Sequence, residues 1–187
     1  MKKDTLDIHR EIIERCKAGE RKAFFEIYTM YSRAMLNTCF RIVNNREEAE
    51  DILQESFISA FKNLHQFKND STFGAWLKKI VINYSLNALK KRKNIITVDV
   101  DKIDLSDADA GKENLNFKIE TVKEELKKLP DGYRIVLSLY LIEGYEHKEI
   151  AAMLGISIST SLSQYHRAKE KLREALKNKT ELRWKIV

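Results

Sequence analysis

A chain of 187 residues, 43% hydrophobic and 33% charged, holds enough apolar side chain for one large or two small packed domains and is too apolar for wholesale disorder. Six glycines and one proline exclude collagenous, low-complexity and loop-rich all-β chains; two cysteines, Cys16 and Cys39, exclude a disulfide scaffold and fit a reducing compartment. The formal charge of +6 favours a polyanionic partner without identifying one.

Met1-Lys2-Lys3 leads into Asp4, Asp7, His9, Arg10 and Glu11, where a signal peptide would need an apolar run. No stretch is long enough to span a membrane; Val136 to Ile142 is short and interrupted by Ser138 and Tyr140. The expectation is a cytoplasmic protein that does not span a membrane. Charge is uneven along the chain. Residues 1–93 carry 18 basic and 12 acidic side chains, residues 94–116 carry 2 and 6, and residues 117–187 carry 14 and 10. An acidic, Asp-rich stretch without helical periodicity therefore separates two basic ones and reads as a flexible linker.

The first basic segment predicts four helices. Glu11 to Lys17 carries Ile12, Ile13 and Cys16 and stops at Gly19. Ala23 to Val43 carries Phe24, Ile27, Tyr28, Tyr31, Met35, Cys39 and Ile42 at three-to-four spacing. Asn44-Asn45 breaks that helix and caps the next, which has Glu47 and Glu48 in its first turn and runs to about Leu64. Asp70-Ser71-Thr72 caps a fourth, Phe73 to about Lys93, with Phe73, Leu77, Ile80, Val81, Tyr84 and Ala88 as its expected inner stripe. The second basic segment predicts helices over Phe117 to Leu129 and Tyr133 to Glu143, then two more separated by Leu154-Gly155-Ile156. No segment alternates as a strand would. The expected fold class is all-α: two small helical domains, residues 1–93 and 117–187, joined by the linker 94–116.

Three local patterns carry chemistry. Lys148 to Thr160 reads as a helix-turn-helix: Ile150, Ala151 and Leu154 face inward, Gly155 permits the turn, Ile156 fills the corner, and Ser157 or Ser159 caps the second helix. In that helix Ser161, Tyr165, Ala168 and Leu172 form the expected inner stripe, leaving Thr160, Ser163, Gln164, Arg167 and Lys171 to meet base edges and phosphates in a major groove. The competing reading is an ordinary helical hairpin with a solvated face. In Ala49 to Phe57, Asp51, Gln54, Glu55 and Ile58 share one outer face, which suits a docking helix or simply water. Asp51 and Glu55 have no histidine or metal-ligand cluster within sequence reach, so acid–base catalysis is not indicated. From Phe67 to Asn83, aromatics interleave with lysines and short polar side chains, the chemistry of a single-stranded nucleic-acid site. The competing reading puts Phe67, Phe73 and Trp76 in the core. The histidines at 9, 65, 147 and 166 are scattered and expected at the surface, with His166, beside Arg167, the one near the expected DNA face.

These three patterns, in this order, resemble the bacterial sigma-70 family of RNA polymerase initiation factors, specifically its two-domain extracytoplasmic-function group. AEDILQESF, F-x5-F-x2-WL-x5-N and the C-terminal helix-turn-helix carry the resemblance over roughly residues 9–93 and 117–178. It implies a sigma region 2 bundle and a sigma region 4 helix-turn-helix, with no catalytic activity, cofactor, metal or small-molecule substrate. It implies core RNA polymerase as partner, contacted at its clamp coiled coil and flap, with Asp51, Gln54, Glu55 and Ile58 on the clamp. It implies promoter DNA as ligand. Phe67, Lys68, Asn69, Asp70 and Ser71 would capture a flipped −10 base, with Trp76, Lys79 and Asn83 holding that element. Thr160, Ser163, Gln164, His166, Arg167 and Lys171 would read the −35 element. An anti-sigma factor is a further implied partner. Leu162 departs from the Lys or Arg frequent there, removing one charged DNA contact, and Ser161 departs from a frequent Val. The tail around Trp184 has no assigned role. A stand-alone helix-turn-helix regulator, a nucleic-acid-processing enzyme and a helical adaptor are the competing functional readings; the first predicts a dimer on spaced half-sites.

Overall fold

A computed structural model describes the backbone of residues 2–68, 71–92 and 119–184, and the side chains of 9–68, 71–92, 119–177 and 179. Asn69, Asp70, the acidic stretch 94–116 and the side chain of Trp184 lie outside the described residues. Among those described there are eight α-helices and no strand. The chain divides into two compact units, Met1–Lys93 and Asn94–Val187.

The first unit contains α1 (Lys2–Lys17), α2 (Arg21–Val43), α3 (Arg46–Lys62), a single 3-10 turn (Leu64–Gln66) and α4 (Phe73–Arg92). The long helices α2, α3 and α4 pack mutually and α1 lies along α2. Arg15 ties the first corner, pairing with Glu20 and, at 3.1 Å, with Glu26. Asn44 takes the left-handed conformation at φ 54°, and the Asn45 side chain accepts the Glu48 amide at 2.9 Å, so one asparagine ends α2 and the next starts α3. The Thr72 hydroxyl accepts the Ala75 amide at 3.3 Å, opening α4. Cys16 and Cys39 are buried, and burial pushes both thiols up to about 11, which leaves them inert as nucleophiles.

The expected inner stripe of α4 needs correcting. Phe73, Leu77, Val81, Ile82, Ser85, Leu86 and Leu89 are buried, while Ile80, Tyr84 and Ala88 are only partly so. The reason is geometric: α4 is gripped by both α2 and α3, so its apolar face is broad and turned toward Ile82 and Leu86. Gly74 sits against this junction. A Cβ there would meet the Tyr31 ring at 3.0 Å, so glycine allows α4 to begin directly against α2.

The second unit contains α5 (Ile119–Lys128), α6 (Asp131–Leu141), α7 (His147–Leu154) and α8 (Ile158–Trp184). Leu126, Leu129, Tyr133, Leu137 and Ala168 form a core flanked by Tyr165 and Leu172. The α6 helix is buried from Tyr133 to Leu139, including Arg134, which donates to the Leu129 carbonyl at 3.1 Å and pairs with Asp131. Gly155, left-handed at φ 71°, turns α7 into α8, and Ser157 Oγ accepts the Thr160 amide at 3.0 Å to cap the second helix. Far along α8, Lys179 reaches back 2.6 Å to Glu125 on α5, holding that buried carboxyl below its usual range together with Lys128.

Candidate nucleic-acid interface

The outer face of α3 is arranged as the spacing predicts. Asp51, Gln54, Glu55 and Ile58 are all exposed, Ile58 at 54%, while Ile52, Leu53, Phe57 and Ala60 on the opposite face enter the core. An apolar side chain beside two carboxylates and an amide offers both a buried contact and directional hydrogen bonding to a partner.

The segment from Phe67 to Asn83 separates into two populations. Phe67 is 3% exposed, and with Phe73 and Trp76 it forms an aromatic cluster with centroid separations of 5.5–5.6 Å. Tyr31 joins through Phe73 at 5.4 Å and accepts or donates one hydrogen bond with His9 at 2.8 Å. Phe67 thus gives its faces to protein and offers none to a base, a correction to its expected role. Trp76 is half-buried in the same cluster. Lys68, Ser71, Lys79 and Asn83 are exposed, and Lys79, Asn83 and Lys90 line one side of α4 down to its basic end. This side can bind phosphates and hydrogen-bond unstacked base edges, with Trp76 at its margin. Arg92, at the end of α4, is held by Glu48 at 2.8 Å.

In the helix-turn-helix, His166 and Lys171 are exposed, and Thr160, Ser163 and Arg167 are half-exposed. Thr160 Oγ1 lies 2.8 Å from Ser157 Oγ, and Ser163 donates to the Thr160 carbonyl at 3.1 Å. Gln164 is corrected: it is only 7% exposed, with its amide beside Gly132, where a Cβ would come within 3.4 Å of Nε2. Ser161, Gln164 and Ala168 follow one another at steps of three and four, so the inner stripe is turned toward Gln164, and Tyr165 lies at its edge. Leu162 is half-buried, which suits an apolar side chain.

His147 was expected at the surface. Instead it is half-buried, its ring stacked on Tyr140 and its Nδ1 2.9 Å from Ser161 Oγ. The one sequence signal that could have found it is Ser161, a hydroxyl on an inner stripe that demands a partner. Tyr140, Tyr165, Ser161 and His166 surround the imidazole. Burial, and then the nearby His166, hold its pKa below the usual 6.5. The unfolded chain therefore takes up a proton that the folded unit resists, so this contribution to stability is present at neutral pH and is lost as pH falls through that value. The second unit, followed by the near-UV signal of its tyrosines, should melt at progressively lower Tm from about pH 7 to about pH 5.5, and His147→Asn should flatten that dependence. Among the described residues there is no cluster of metal-ligating side chains, and no helix is long and apolar enough to cross a membrane.

One helical unit thus carries a helix-turn-helix, and the other exposes two chemically distinct faces, on α3 and on α4. The family model for sigma-70 region 2 matches residues 27–95, and that for sigma-70 region 4 matches residues 119–172. The chain is 31% identical over 185 positions to the ECF RNA polymerase sigma factor SigW of Bacillus subtilis, covering 89% of this chain and 95% of that one. It is 30% identical over 184 positions to the RNA polymerase sigma-H factor of Pseudomonas aeruginosa, covering 92% and 95%. In fold it resembles the sigma factor RpoE of Bartonella quintana, solved with the anti-sigma factor NepR, with a TM-score of 0.55 at 24% identity over 83% of this chain and 98% of that one. The chain belongs to the sigma-70 family, in its extracytoplasmic-function group of transcription initiation factors.

Proposed function

We propose that this chain binds core RNA polymerase, directs it to promoters by reading a −35 duplex with α8 and a −10 single strand with the first unit, and promotes melting at the −10 element. The supporting observation is the division of exposed chemistry: an acidic and apolar face on α3, a lysine and asparagine face on α4, and a capped recognition helix in a separate unit. The α3 face is assigned to polymerase because carboxylates repel DNA. Lys68, Ser71, Trp76, Lys79 and Asn83 are assigned to the −10 strand with Asn69 and Asp70, and Thr160, Ser163, His166, Arg167 and Lys171 to the −35 duplex. Phe67 supports the −10 site from below and Gln164 supports α8 from within.

Free in solution, a chain of net charge +6 binds duplex weakly. Docked on polymerase, the two units engage their elements together and gain from effective concentration. Melting costs about 1.4 kcal/mol per base-pair step, and stacking of captured bases returns about 1–3 kcal/mol each, so trapping a few bases balances opening without ATP. An anti-sigma protein that covers these faces is the proposed regulator, and no small-molecule substrate is involved. The test is transcription by sigma-free core polymerase supplied with this chain and a library of upstream regions. Discrete, chain-dependent start sites are expected. A chain-dependent operator footprint without polymerase, and no start sites with it, would favour a stand-alone regulator.

A further inference from the structure

We propose that His147 is a positioning residue for promoter reading: through Ser161 and Tyr165 it fixes the rotation of α8 about its own axis, and so the aim of the side chains that face DNA. The inference rests on the reading of α8 as the −35 helix.

Three helices converge on this imidazole. From α6, the Tyr140 ring lies nearly parallel to it, with centroids 4.4 Å apart and planes at 14°. From α8, Ser161 Oγ stands 2.9 Å from Nδ1, and Tyr165 meets the ring edge-on at 5.4 Å. Tyr140 and Tyr165 also touch each other, at 4.7 Å, which closes the circuit between α6, α7 and α8. Ser161 is 0% exposed, so its hydroxyl has no recourse to water. In the neutral ring Nδ1 accepts from the serine hydroxyl when the ring proton sits on Nε2 and donates to the serine oxygen in the other tautomer; either way the pair is joined by one hydrogen bond.

Such a contact indexes rotation in a way that apolar packing does not. Successive residues of a helix lie 100° apart, so Ser161 and its neighbour Thr160 turn together. A hydrogen bond weakens steeply with distance and angle, whereas apolar contacts are non-directional and favour a fit of shape over one particular pairing of atoms. The stack also bears on the DNA side directly: the His166 ring packs against Tyr165 at 5.5 Å, and Lys169 Nζ lies 5.4 Å from the centre of the Tyr165 ring. Valine at 161 would pack there and would supply no such index. A single buried polar contact that fixes register at some expense of packing is a known device between helices.

The experiment uses the full chain on core polymerase with a promoter pool randomised across the −35 element and fixed at −10. The readout is the spread in transcript yield between the best and the median −35 sequence, with core binding measured in parallel. His147→Leu and Ser161→Ala are each expected to narrow that spread by about tenfold, the discrimination carried by one good base contact, with core binding unchanged. His147→Asn, whose amide supplies either an acceptor or a donor near the position of Nδ1, is expected to stay within about twofold of the unaltered chain. Ser161→Ala removes one oxygen and keeps the readout available should leucine at 147 unfold the unit. The proposal is overturned if both substitutions preserve the ranking and spread, or if His147→Asn narrows the spread as far as His147→Leu. If the unaltered chain shows no spread across the pool, the reading of α8 fails first, and that outcome is distinct from a spread indifferent to His147.

Discussion

Asp51→Lys should abolish stable association with core RNA polymerase and leave the chain folded. Asp51 is exposed on the outer face of α3, and none of the core side chains Ile52, Leu53, Phe57 or Ala60 depends on it. Surface changes of this kind alter stability by about 0.5 kcal/mol or less. At an interface the same change inserts a like charge opposite the cation that Asp51 and Glu55 would meet, and disrupting a charged pair there costs about 2–5 kcal/mol. That corresponds to roughly thirtyfold to several-thousandfold in Kd. Titration of labelled chain onto core polymerase, with far-UV circular dichroism on the free chain, measures both quantities. Unchanged affinity in a folded Asp51→Lys chain would remove α3 from the polymerase interface.

Joint substitution of Lys79 and Asn83 by alanine should have the opposite profile, with core binding retained and promoter opening reduced by about ten- to a hundredfold. Both side chains are exposed, one turn apart on α4, and alanine favours the helix, so the bundle loses nothing by the exchange. A phosphate contact and a base-edge hydrogen bond lost together amount to about 1–3 kcal/mol, comparable with one captured base, and opening is poised closely enough for that to decide it. Trp76→Ala is a poorer test of the same face, because Trp76 also fills the cluster of Phe67 and Phe73, so its loss disturbs the floor beneath the site as well as any stacking surface. The two profiles are separable because the α3 and α4 faces belong to different helices of one unit. Open-complex yield per bound holoenzyme reads the second directly.

The sequence made the helices legible because capping and periodicity agreed along most of the chain. Asn44 and Asn45, Thr72, Gly155 and Ser157 all lie where the turns occur. Rotation was less legible. Three-to-four spacing fixes which residues line up but not the width of the buried arc, which depends on how many helices press on it. Hence α4 turns Ile82 and Leu86 inward in place of Ile80 and Tyr84, and α8 turns Gln164 inward where a polar residue suggested a DNA-facing position. Phe67 shows the same limit from the aromatic side: composition cannot distinguish a ring that meets a base from one that meets Phe73 and Trp76. His147 was missed for a different reason, since its partners Tyr140 and Ser161 come from helices on either side of it and share no periodicity with it. The α3 face was read fully because an amphipathic helix packed on one side leaves no ambiguity about the other.

The most direct measurement is permanganate reactivity of promoter thymines in duplex DNA, taken with core polymerase alone, with the chain alone and with both together. The expected result is reactive thymines at the −10 element in the combined sample only, without ATP. Thymines that remain unreactive on every chain-dependent promoter, or that become reactive with the chain in the absence of polymerase, would contradict the assignment of melting to two units made competent by the enzyme that carries them.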